Sequence, residues 1–291
     1  MDLQGFRDEY SPIIRDVLKR QLSTVKIDSL RAAMAHLLGR GKLFRPLLTL
    51  AGARAVTGRD CNDLIPYACA LELIHTYTLI HDDLPCMDDA AMRRGVSAVH
   101  LDHGEAMAVL AGDALFNYAF LVVHRETAPL DPQVRLALLE VMSQASHDVV
   151  EGQVLDLEGE GRQLNLEEMR LMHRLKTGAL LGACCEAGAV LGGAGDDLRR
   201  GLREYGIEIG LAFQIADDLL SYESSEEVMG KSLSSDEAKQ KATYARLLGL
   251  EEARNELNSK LDGLEPMLNA MDLKDPGLLR EIARWAGKRK S

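Results

Sequence analysis

Four aspartates follow an apolar run in the stretch Leu79-Ile80-His81-Asp82-Asp83-Leu84-Pro85-Cys86-Met87-Asp88-Asp89. A second acidic pair follows another apolar run in the stretch Phe213-Gln214-Ile215-Ala216-Asp217-Asp218-Leu219-Leu220-Ser221. Carboxylates beside apolar segments are unfavourable to bury unless they are paired or bind a metal. Oxygen-rich ligand sets suit magnesium, which is usually shared with substrate phosphates. The two motifs therefore predict a magnesium site that faces a pocket between helices.

The spacing within the first motif leaves one ligand undecided. On an ideal helix Asp82 and Asp88 would lie about 120° apart around the axis. Pro85 removes a helical hydrogen bond and predicts a kink or a loop, which can bring Asp82 and Asp88 around one metal. If the helix ran straight, Asp82 and Asp89 would share a face instead. The sequence alone does not choose between Asp88 and Asp89.

The pattern along the rest of the chain is helical. Leu and Ala are abundant, aromatic residues make up only 4% of the chain, and no segment alternates as a strand would. Because no linker or internal repeat appears, we expect a single domain over residues 1–291, an all-α helical bundle. The expected helices cover about 3–22, 28–40, 43–57, 62–83, 87–94, 103–125, 132–152, 166–193, 196–221, 236–248, 250–270 and 275–287.

The composition fits a soluble globular enzyme. With 291 residues, 46% of them hydrophobic, the chain can bury a large core. Its net charge of −11 argues against nucleic-acid binding, which needs a basic face. An anionic substrate must therefore be met by local cations or by metals.

Two features favour a cytoplasmic protein. The N-terminus has no signal-peptide pattern, and five cysteines without a CxxC pair suggest buried thiols in a reducing compartment. The most membrane-like stretch, 178–195, is short for a span and contains Glu186, so we interpret it as a Gly/Ala-rich core helix. We expect no membrane span.

Cationic side chains accompany the acidic motifs. Lys42 and Arg45 lie just before or at a predicted helix start, which is a favourable place for an anion. Arg93 and Arg94 follow the first motif at once. Lys176-Thr177 and Lys231 are further candidates, whereas a lone histidine such as His75 or His81 is more often an ordinary core residue. Gln153 and Asp156 either line the cavity or cap it.

These motifs, in this order, resemble the trans-polyprenyl diphosphate synthases, and most closely the bacterial farnesyl diphosphate synthases. The resemblance runs from about Gly41 to Ala253. It implies an isoprenoid-synthase bundle around a deep central cavity, a homodimer, and head-to-tail condensation of isopentenyl diphosphate with an allylic diphosphate. The matching segments are GKxxRP at 41–46, IHxYxLIHDDLPxMDD at 74–89, RRG at 93–95, AGDAL at 111–115, GQxxDL at 152–157, KTGAL at 176–180, GLAFQIxDD at 210–218 and GK…TYxxLLGLExA at 230–253.

The resemblance also implies a role for each matching residue. The magnesium ligands on the allylic diphosphate would be Asp82, Asp88 and Asp217, with Asp83 and Asp218 beside them. Contacts to the allylic substrate would come from Arg93, Lys176, Thr177, Gln214, Lys231 and Lys241. The isopentenyl diphosphate site would consist of Lys42, Arg45, His75 and Arg94.

One departure keeps alternatives open. The second motif is usually DDxxD in this family, and Ser221 stands here in place of the last acid. A non-catalytic regulatory subunit of a prenyl synthase is one alternative, and a class I terpene cyclase is another. A cyclase has no need of a second diphosphate site, and the intact first motif argues against a regulatory subunit.

In this family the residues upstream of the first motif form the floor beneath the growing prenyl tail. Tyr77 and Thr78 lie five and four residues before Asp82, about 6–7.5 Å along the helix axis. A bulky ring there predicts a fifteen-carbon product, farnesyl diphosphate. A twenty-carbon product is the alternative if the helix predicted at 103–125 leaves room beside the ring.

Overall fold

The structure, a computed structural model, describes residues 2–125, 130–160, 162, 164–228 and 243–287, without the side chains of 223–228. It confirms the all-α class. The helices are α1 (Leu3–Leu22), α2 (Asp28–Ala35), α3 (Phe44–Thr57), α4 (Ile65–Asp82), α5 (Val99–His103), α6 (Glu105–Arg125), α7 (Pro132–Gly159), α8 (Leu166–His173), α9 (Ala179–Leu191), α10 (Asp196–Val228), α11 (Tyr244–Leu248), α12 (Leu250–Asn269) and α13 (Gly277–Gly287).

Helix α9 is the centre of the bundle, and its small residues are the reason. It packs against α3, α4, α7 and α10. A Cβ at Gly188 of α9 would lie 2.3 Å from the Thr49 carbonyl oxygen of α3, and one at Gly206 of α10 would lie 2.5 Å from the Leu181 carbonyl oxygen of α9. Only glycine lets these backbones approach so closely. The interpretation of this segment as a core helix is confirmed.

The helix predicted at 87–94 is wrong. The chain instead forms a hairpin of two short strands, β1 (Met92–Arg93) and β2 (Val96–Ser97), with Arg93 opposite Val96. Arg94 and Gly95 form its two-residue turn with φ of 52° and 77°. Two positive φ angles are typical of a type I′ turn, which matches the twist of the flanking strands. The Arg-Gly pair, placed right after the acidic motif, is the signal that the helical interpretation missed.

The helix predicted at 166–193 is interrupted. Helix α8 begins with a capping box, in which the Asn165 side chain accepts from the Glu168 N–H and the Glu168 carboxylate accepts from the Asn165 N–H, both at 2.9 Å. One turn of π-helix, Arg174–Gly178, then separates α8 from α9. Such turns occur often at functional sites, and this one carries Lys176 and Thr177.

Among the described residues, one helix, α6, is long and apolar enough to cross a membrane by length and composition; 39% of its apolar window is buried inside the bundle.

The prediction that the thiols are buried is confirmed for four of the five cysteines. Cys61, Cys69, Cys184 and Cys185 are buried, whereas Cys86 is exposed in the loop after α4.

Candidate active site

The loop after α4 brings Asp88 back to Asp82. Helix α4 ends at Asp82, three residues before Pro85. The backbone N–H of Asp88 donates to the Asp82 carbonyl at 2.8 Å, which closes the loop. Asp89, with φ of 51°, is exposed at the surface. The predicted break at Pro85 is therefore present, and it places Asp88 next to the helix end.

Asp82 and Asp88 also share an electrostatic environment. Burial raises the pKa of Asp82 to about 6; Lys176 opposes that rise and Asp88 adds to it. A carboxylate in such surroundings favours a bound cation. No group of three or more His, Cys, Asp or Glu side chains is arranged to hold a metal within the described parts of the chain. The donor set still fits magnesium, because this ion commonly takes only one or two carboxylates and completes its shell with water and substrate phosphate.

Asp83, predicted beside the metal ligands, lies in a buried ion pair. Its side chain is fully buried, and its Oδ1 accepts from Arg93 Nη2 at 2.5 Å and Arg93 Nε at 2.8 Å. The pair joins the end of α4 to the first strand of the hairpin. This ion pair does not favour the prediction that Asp83 binds metal. Arg93 remains within electrostatic reach of Asp82 and Asp88.

Helix α10 carries the second motif, in which the two aspartates differ. Asp217 is half-buried, whereas Asp218 is buried. The Asp218 carboxylate accepts from Gln214 Nε2 and from the backbone N–H of Tyr244, each at 3.0 Å. Asp218 thus links the start of α11 to α10. Asp217 is the acid of this pair that is better placed for a metal, and Ser221 lies exposed one turn further along α10.

The π-helical turn brings Lys176 and Thr177 to the acidic motifs. Lys176 Nζ bonds Asp156 Oδ2 on α7 at 2.6 Å, and Thr177 Oγ1 bonds Gln214 Oε1 on α10 at 3.3 Å. A Cβ at Gly152 would lie 2.3 Å from the Lys176 backbone nitrogen, so α7 touches the turn directly. Asp156 therefore positions Lys176. The sequence alone left open whether Asp156 lines the cavity or caps it.

A second cationic cluster lies on α3, α4 and the hairpin turn. Arg94 donates to Glu72 Oε1 at 3.1 Å and to the Leu37 carbonyl at 3.0 Å. Arg45 lies within electrostatic reach of both Glu72 and Arg94, and its Nε is buried with no hydrogen-bond partner among the described residues. Burial, together with Arg45 and Arg94, holds the pKa of His75 well below its ordinary value, so this histidine is neutral.

Glu72 is the residue of this cluster that sequence reasoning missed. It is 1% exposed, and its burial raises its pKa while Arg94 and Arg45 lower it. A lone acid in the apolar run Ala70-Leu71-Glu72-Leu73-Ile74 was the available signal, because such a charge needs a cationic partner. Trp285 of α13 was also missed; Lys42 Nζ lies 5.1 Å from its ring centroid, a cation–π distance.

Two of the predicted residues, Lys231 and Lys241, lie outside the described residues. The other predicted residues fall into two groups. The acidic motifs, Arg93 and the π-helical turn form one group, and Arg45, His75 and Arg94 form the other. His81, for which we expected an ordinary role, bonds the Val109 carbonyl on α6 at 3.1 Å and packs on Gly112.

Comparison with known proteins identifies the family. The sequence profile of the Polyprenyl synthetase family matches residues 27–272. The chain belongs to this family. It is 42% identical over 278 residues to a farnesyl diphosphate synthase of Geobacillus stearothermophilus, covering 94% of this chain and 93% of that protein. It is equally 42% identical over 256 residues to a geranylgeranyl diphosphate synthase of Cyanophora paradoxa, covering 84% and 83%.

A solved structure agrees with this assignment. A geranyltransferase from Helicobacter pylori, complexed with magnesium and isoprenyl diphosphate, matches with a TM-score of 0.78 at 32% identity, covering 96% of this chain and 95% of that one. This protein is thus an enzyme, a trans-prenyl synthase.

Tyr77, one of the two residues predicted to set product length, lies against an aromatic wall. Tyr77 is buried, and its ring centroid lies 5.1 Å from that of Phe116 on α6. Phe116 lies in turn 5.3 Å from Phe120, one turn further along α6. Both contacts are edge-to-face, the arrangement that aromatic rings favour. The Thr78 hydroxyl bonds the His75 carbonyl at 2.9 Å. Rings from α6 therefore fill the space beside Tyr77.

Proposed function

We propose that this prenyl synthase condenses isopentenyl diphosphate with dimethylallyl or geranyl diphosphate, head to tail and with magnesium, to give mainly farnesyl diphosphate. The observation that carries the proposal is the grouping of Asp82, Asp88 and Lys176 at the end of α4. Carboxylates that meet a lysine in a half-buried site suit a metal–diphosphate pair, in which acids hold the metal and cations hold the phosphate.

The residues have separate tasks in this reaction. Asp82, Asp88 and Asp217 would hold magnesium, which when bound neutralises charge on the departing diphosphate. Lys176 and Arg93 add positive charge on the same side, so the allylic carbon–oxygen bond can break to an allylic cation. The alkene of isopentenyl diphosphate then attacks the cation, and a proton leaves to the released diphosphate. The apolar wall around the tail excludes the water that would quench the cation.

The second cationic cluster supports a second diphosphate. Arg45, Arg94 and neutral His75 lie within electrostatic reach of one another, and Gly41, the neighbour of Lys42, lies beside Arg94 of this cluster. A terpene cyclase would have no use for it, and a non-catalytic subunit would need neither group. The buried Nε of Arg45, unpaired among the described residues, is a donor that a substrate phosphate would satisfy.

Product length is the finer part of the proposal. The contact of Tyr77 with Phe116, and of Phe116 with Phe120, supports a closed floor and hence a fifteen-carbon product. A twenty-carbon product is the second candidate, because a geranylgeranyl diphosphate synthase is as similar in identity as a farnesyl diphosphate synthase.

The test is a product assay. The enzyme is incubated with isopentenyl diphosphate and either dimethylallyl or geranyl diphosphate, with magnesium or with excess chelator, and the dephosphorylated products are separated by chain length. We expect a fifteen-carbon alcohol from both primers and none with chelator. A twenty-carbon main product would favour the second candidate, and no condensation with either primer would refute the proposal.

We expect Glu72→Gln to weaken isopentenyl diphosphate binding selectively. The substitution keeps the shape of the side chain and removes the charge that holds Arg94 and faces Arg45. Hydrogen bonds to charged groups contribute about 1.5–3 kcal/mol, so KM for isopentenyl diphosphate should rise about tenfold or more. KM for the allylic substrate, which the other group of residues binds, should change little.

The matched control is Glu186→Gln. Glu186 is another buried glutamate that faces two arginines, Arg199 and Arg203, at 3.8 and 3.9 Å, away from both groups of the site. Both variants should lose thermal stability, since breaking a buried charge pair is destabilising. Only Glu72→Gln should raise the KM for isopentenyl diphosphate while the KM for the allylic substrate changes little. Equal changes in both KM values would show that Glu72 has a purely structural role.

We also propose a homodimer built on α6 and α7. Leu110 of α6 and Val150 of α7 are 55% and 52% exposed, and Leu121, Val154 and Leu157 continue the same two helix faces in solvent. Large exposed apolar patches mark interfaces. Stable interfaces need about 800 Å² per partner, which two long helices can supply.

Sedimentation velocity tests the dimer directly. The wild-type protein should sediment as a dimer of the 32.0 kDa chain. Leu110→Glu with Val150→Glu should give monomers, while Leu101→Glu, an equally exposed leucine on α5, should stay dimeric. A wild-type monomer at micromolar concentration would contradict the proposal.

A further inference from the structure

Helix α13 holds the side chain of Trp285 next to the loop that leads into α3. The helix is fixed to the bundle by a hydrogen bond from the Tyr205 hydroxyl of α10 to its Leu279 carbonyl, at 3.0 Å. It is also fixed by a buried apolar stripe with helical spacing, formed by Leu278, Leu279, Ile282, Ala283 and Ala286. Trp285 lies beside this stripe and is half-buried. The indole is therefore anchored by a well-packed helix while part of it stays accessible.

Two further rings fix the orientation of the indole. Its ring centroid lies 5.2 Å from that of Phe44, the first residue of α3, and the two ring planes are 30° apart. The Phe44 ring lies in turn 6.2 Å from that of Phe213 on α10, at 29°. Phe213 directly precedes Gln214 of the second acidic motif. A row of three rings therefore runs from α13 across the start of α3 to α10, and neighbouring rings in such a row restrain one another.

The backbone on both sides of Lys42 is fixed, whereas the Lys42 side chain is exposed. Gly41 has a φ of 85°, and a Cβ there would lie 3.5 Å from Arg94 Nε. Leu43 is buried and has a φ of 51°, a left-handed conformation that a bulky residue adopts only where its surroundings enforce it. Lysine carries its charge on a flexible four-carbon stem. The Lys42 ammonium therefore needs an orienting contact of its own.

The indole of Trp285 supplies such a contact. Lys42 Nζ lies 5.1 Å from the ring centroid of Trp285, inside the range of about 6 Å over which an ammonium is attracted to an aromatic face. An ammonium has three donors, and an uncharged ring leaves its positive charge in place. The contact therefore orients Lys42 and keeps it able to meet an anion, which a carboxylate partner would not do.

We propose that Trp285 is a positioning residue of the second diphosphate site, whose indole holds the Lys42 ammonium in the orientation in which it meets isopentenyl diphosphate. The role rests on the proposed function, which assigns Lys42 to this substrate; the contact between the two side chains does not. Trp285 acts through Lys42 and not on the diphosphate itself. Its loss should therefore weaken the binding of isopentenyl diphosphate and leave kcat and the binding of the allylic substrate nearly unchanged.

The test is calorimetric titration of the full-length enzyme with isopentenyl diphosphate. The enzyme is first saturated with magnesium and geranyl thiodiphosphate, an allylic analogue that ionises too slowly for turnover. The wild type is compared with Trp285→Leu, with Lys42→Met and with the variant that carries both changes. Trp285→Phe keeps an aromatic face. Ile282→Val is the packing control, because Ile282 is a buried residue one turn before Trp285 on the same helix.

We expect Trp285→Leu to raise the Kd for isopentenyl diphosphate about two- to fivefold, the effect of losing one cation–π contact at an exposed site. The same substitution should have no effect where Lys42 is already methionine, because two residues that act through one contact are not additive. Trp285→Phe should recover most of the affinity, and Ile282→Val should bind like the wild type. Equal effects of Trp285→Leu in both backgrounds, or an equal effect of Ile282→Val, would overturn the proposal.

Fluorescence separates this result from the proposed function. Trp285 is the only tryptophan of the chain, so its emission reports the contact without any substrate. We expect Lys42→Met to shift the emission maximum of the unliganded protein, because a charge beside an indole changes the energy of its excited state, and Lys26→Met, at another exposed lysine, to leave it in place. Identical emission in Lys42→Met and the wild type would refute the contact. Shifted emission in a protein whose wild type binds no isopentenyl diphosphate would refute the proposed function, and binding with additive effects would refute the positioning role alone.

Discussion

Asp82→Ala is expected to remove nearly all condensation activity, by about two to three orders of magnitude in kcat. Asp82 ends α4 at the point where Asp88 returns to it and where Lys176 lies within electrostatic reach. Without its carboxylate, magnesium loses a ligand at the place where charge develops on the departing diphosphate. The measurement is kcat as a function of magnesium concentration, with both substrates saturating.

The matched control for Asp82→Ala is Asp89→Asn. Asp89 is exposed, and asparagine tolerates its positive φ of 51°. This variant should keep close to full activity. Loss of activity in Asp89→Asn with retention in Asp88→Asn would reverse the assignment within the motif.

Asp82→Ala should not lose activity by unfolding. Burial raises the pKa of Asp82 to about 6, so the folded state disfavours its charge and the ionised carboxylate does not stabilise the fold at neutral pH. The melting temperature of the variant should therefore stay at or above that of the wild type. Full turnover by the wild-type enzyme in excess chelator would refute the role of the metal altogether.

Tyr77→Ala is expected to lengthen the product from fifteen carbons to twenty or more. The ring of Tyr77 packs edge-to-face on Phe116, and Phe116 packs on Phe120. Removing the ring opens the space below Asp82, and the prenyl chain can extend into it before product leaves. Chromatography of the dephosphorylated products gives the chain-length distribution, and the expected result is a shift of its maximum by at least one five-carbon unit.

Tyr118→Ala is the control for this experiment. Tyr118 lies on α6 between Phe116 and Phe120, but its hydroxyl bonds the Gln21 carbonyl on α1 at 2.5 Å, so it is turned away from Tyr77. Its loss should leave the product unchanged. Should Tyr77→Ala give the wild-type distribution, the floor lies elsewhere and Tyr77 is an ordinary core aromatic.

The sequence predicted the helical class, most helix positions and, apart from Glu72, most members of both charged groups, and local rules explain why. Leu and Ala periodicity indicates helices, and Pro85 ends one of them within three residues. Where a short-range signal competed with the periodicity, the prediction failed. Arg94-Gly95 makes the turn of the hairpin at 92–97, and the π-helical turn at Arg174–Gly178 divides a segment that is continuous in its pattern.

The sequence by itself determined which residue types are available for metal and diphosphate chemistry, because a motif preserves its side chains whatever the chain does around it. Only the tertiary structure decided which of them are engaged elsewhere. Asp83 is taken by Arg93 and Asp218 by Gln214 and Tyr244. Glu72 pairs with Arg94 across 22 positions of sequence. Except for Gln214, which lies on the same helix as Asp218, these partners come from other elements of the fold. A pairing between separate elements depends on how they pack, which no local pattern encodes.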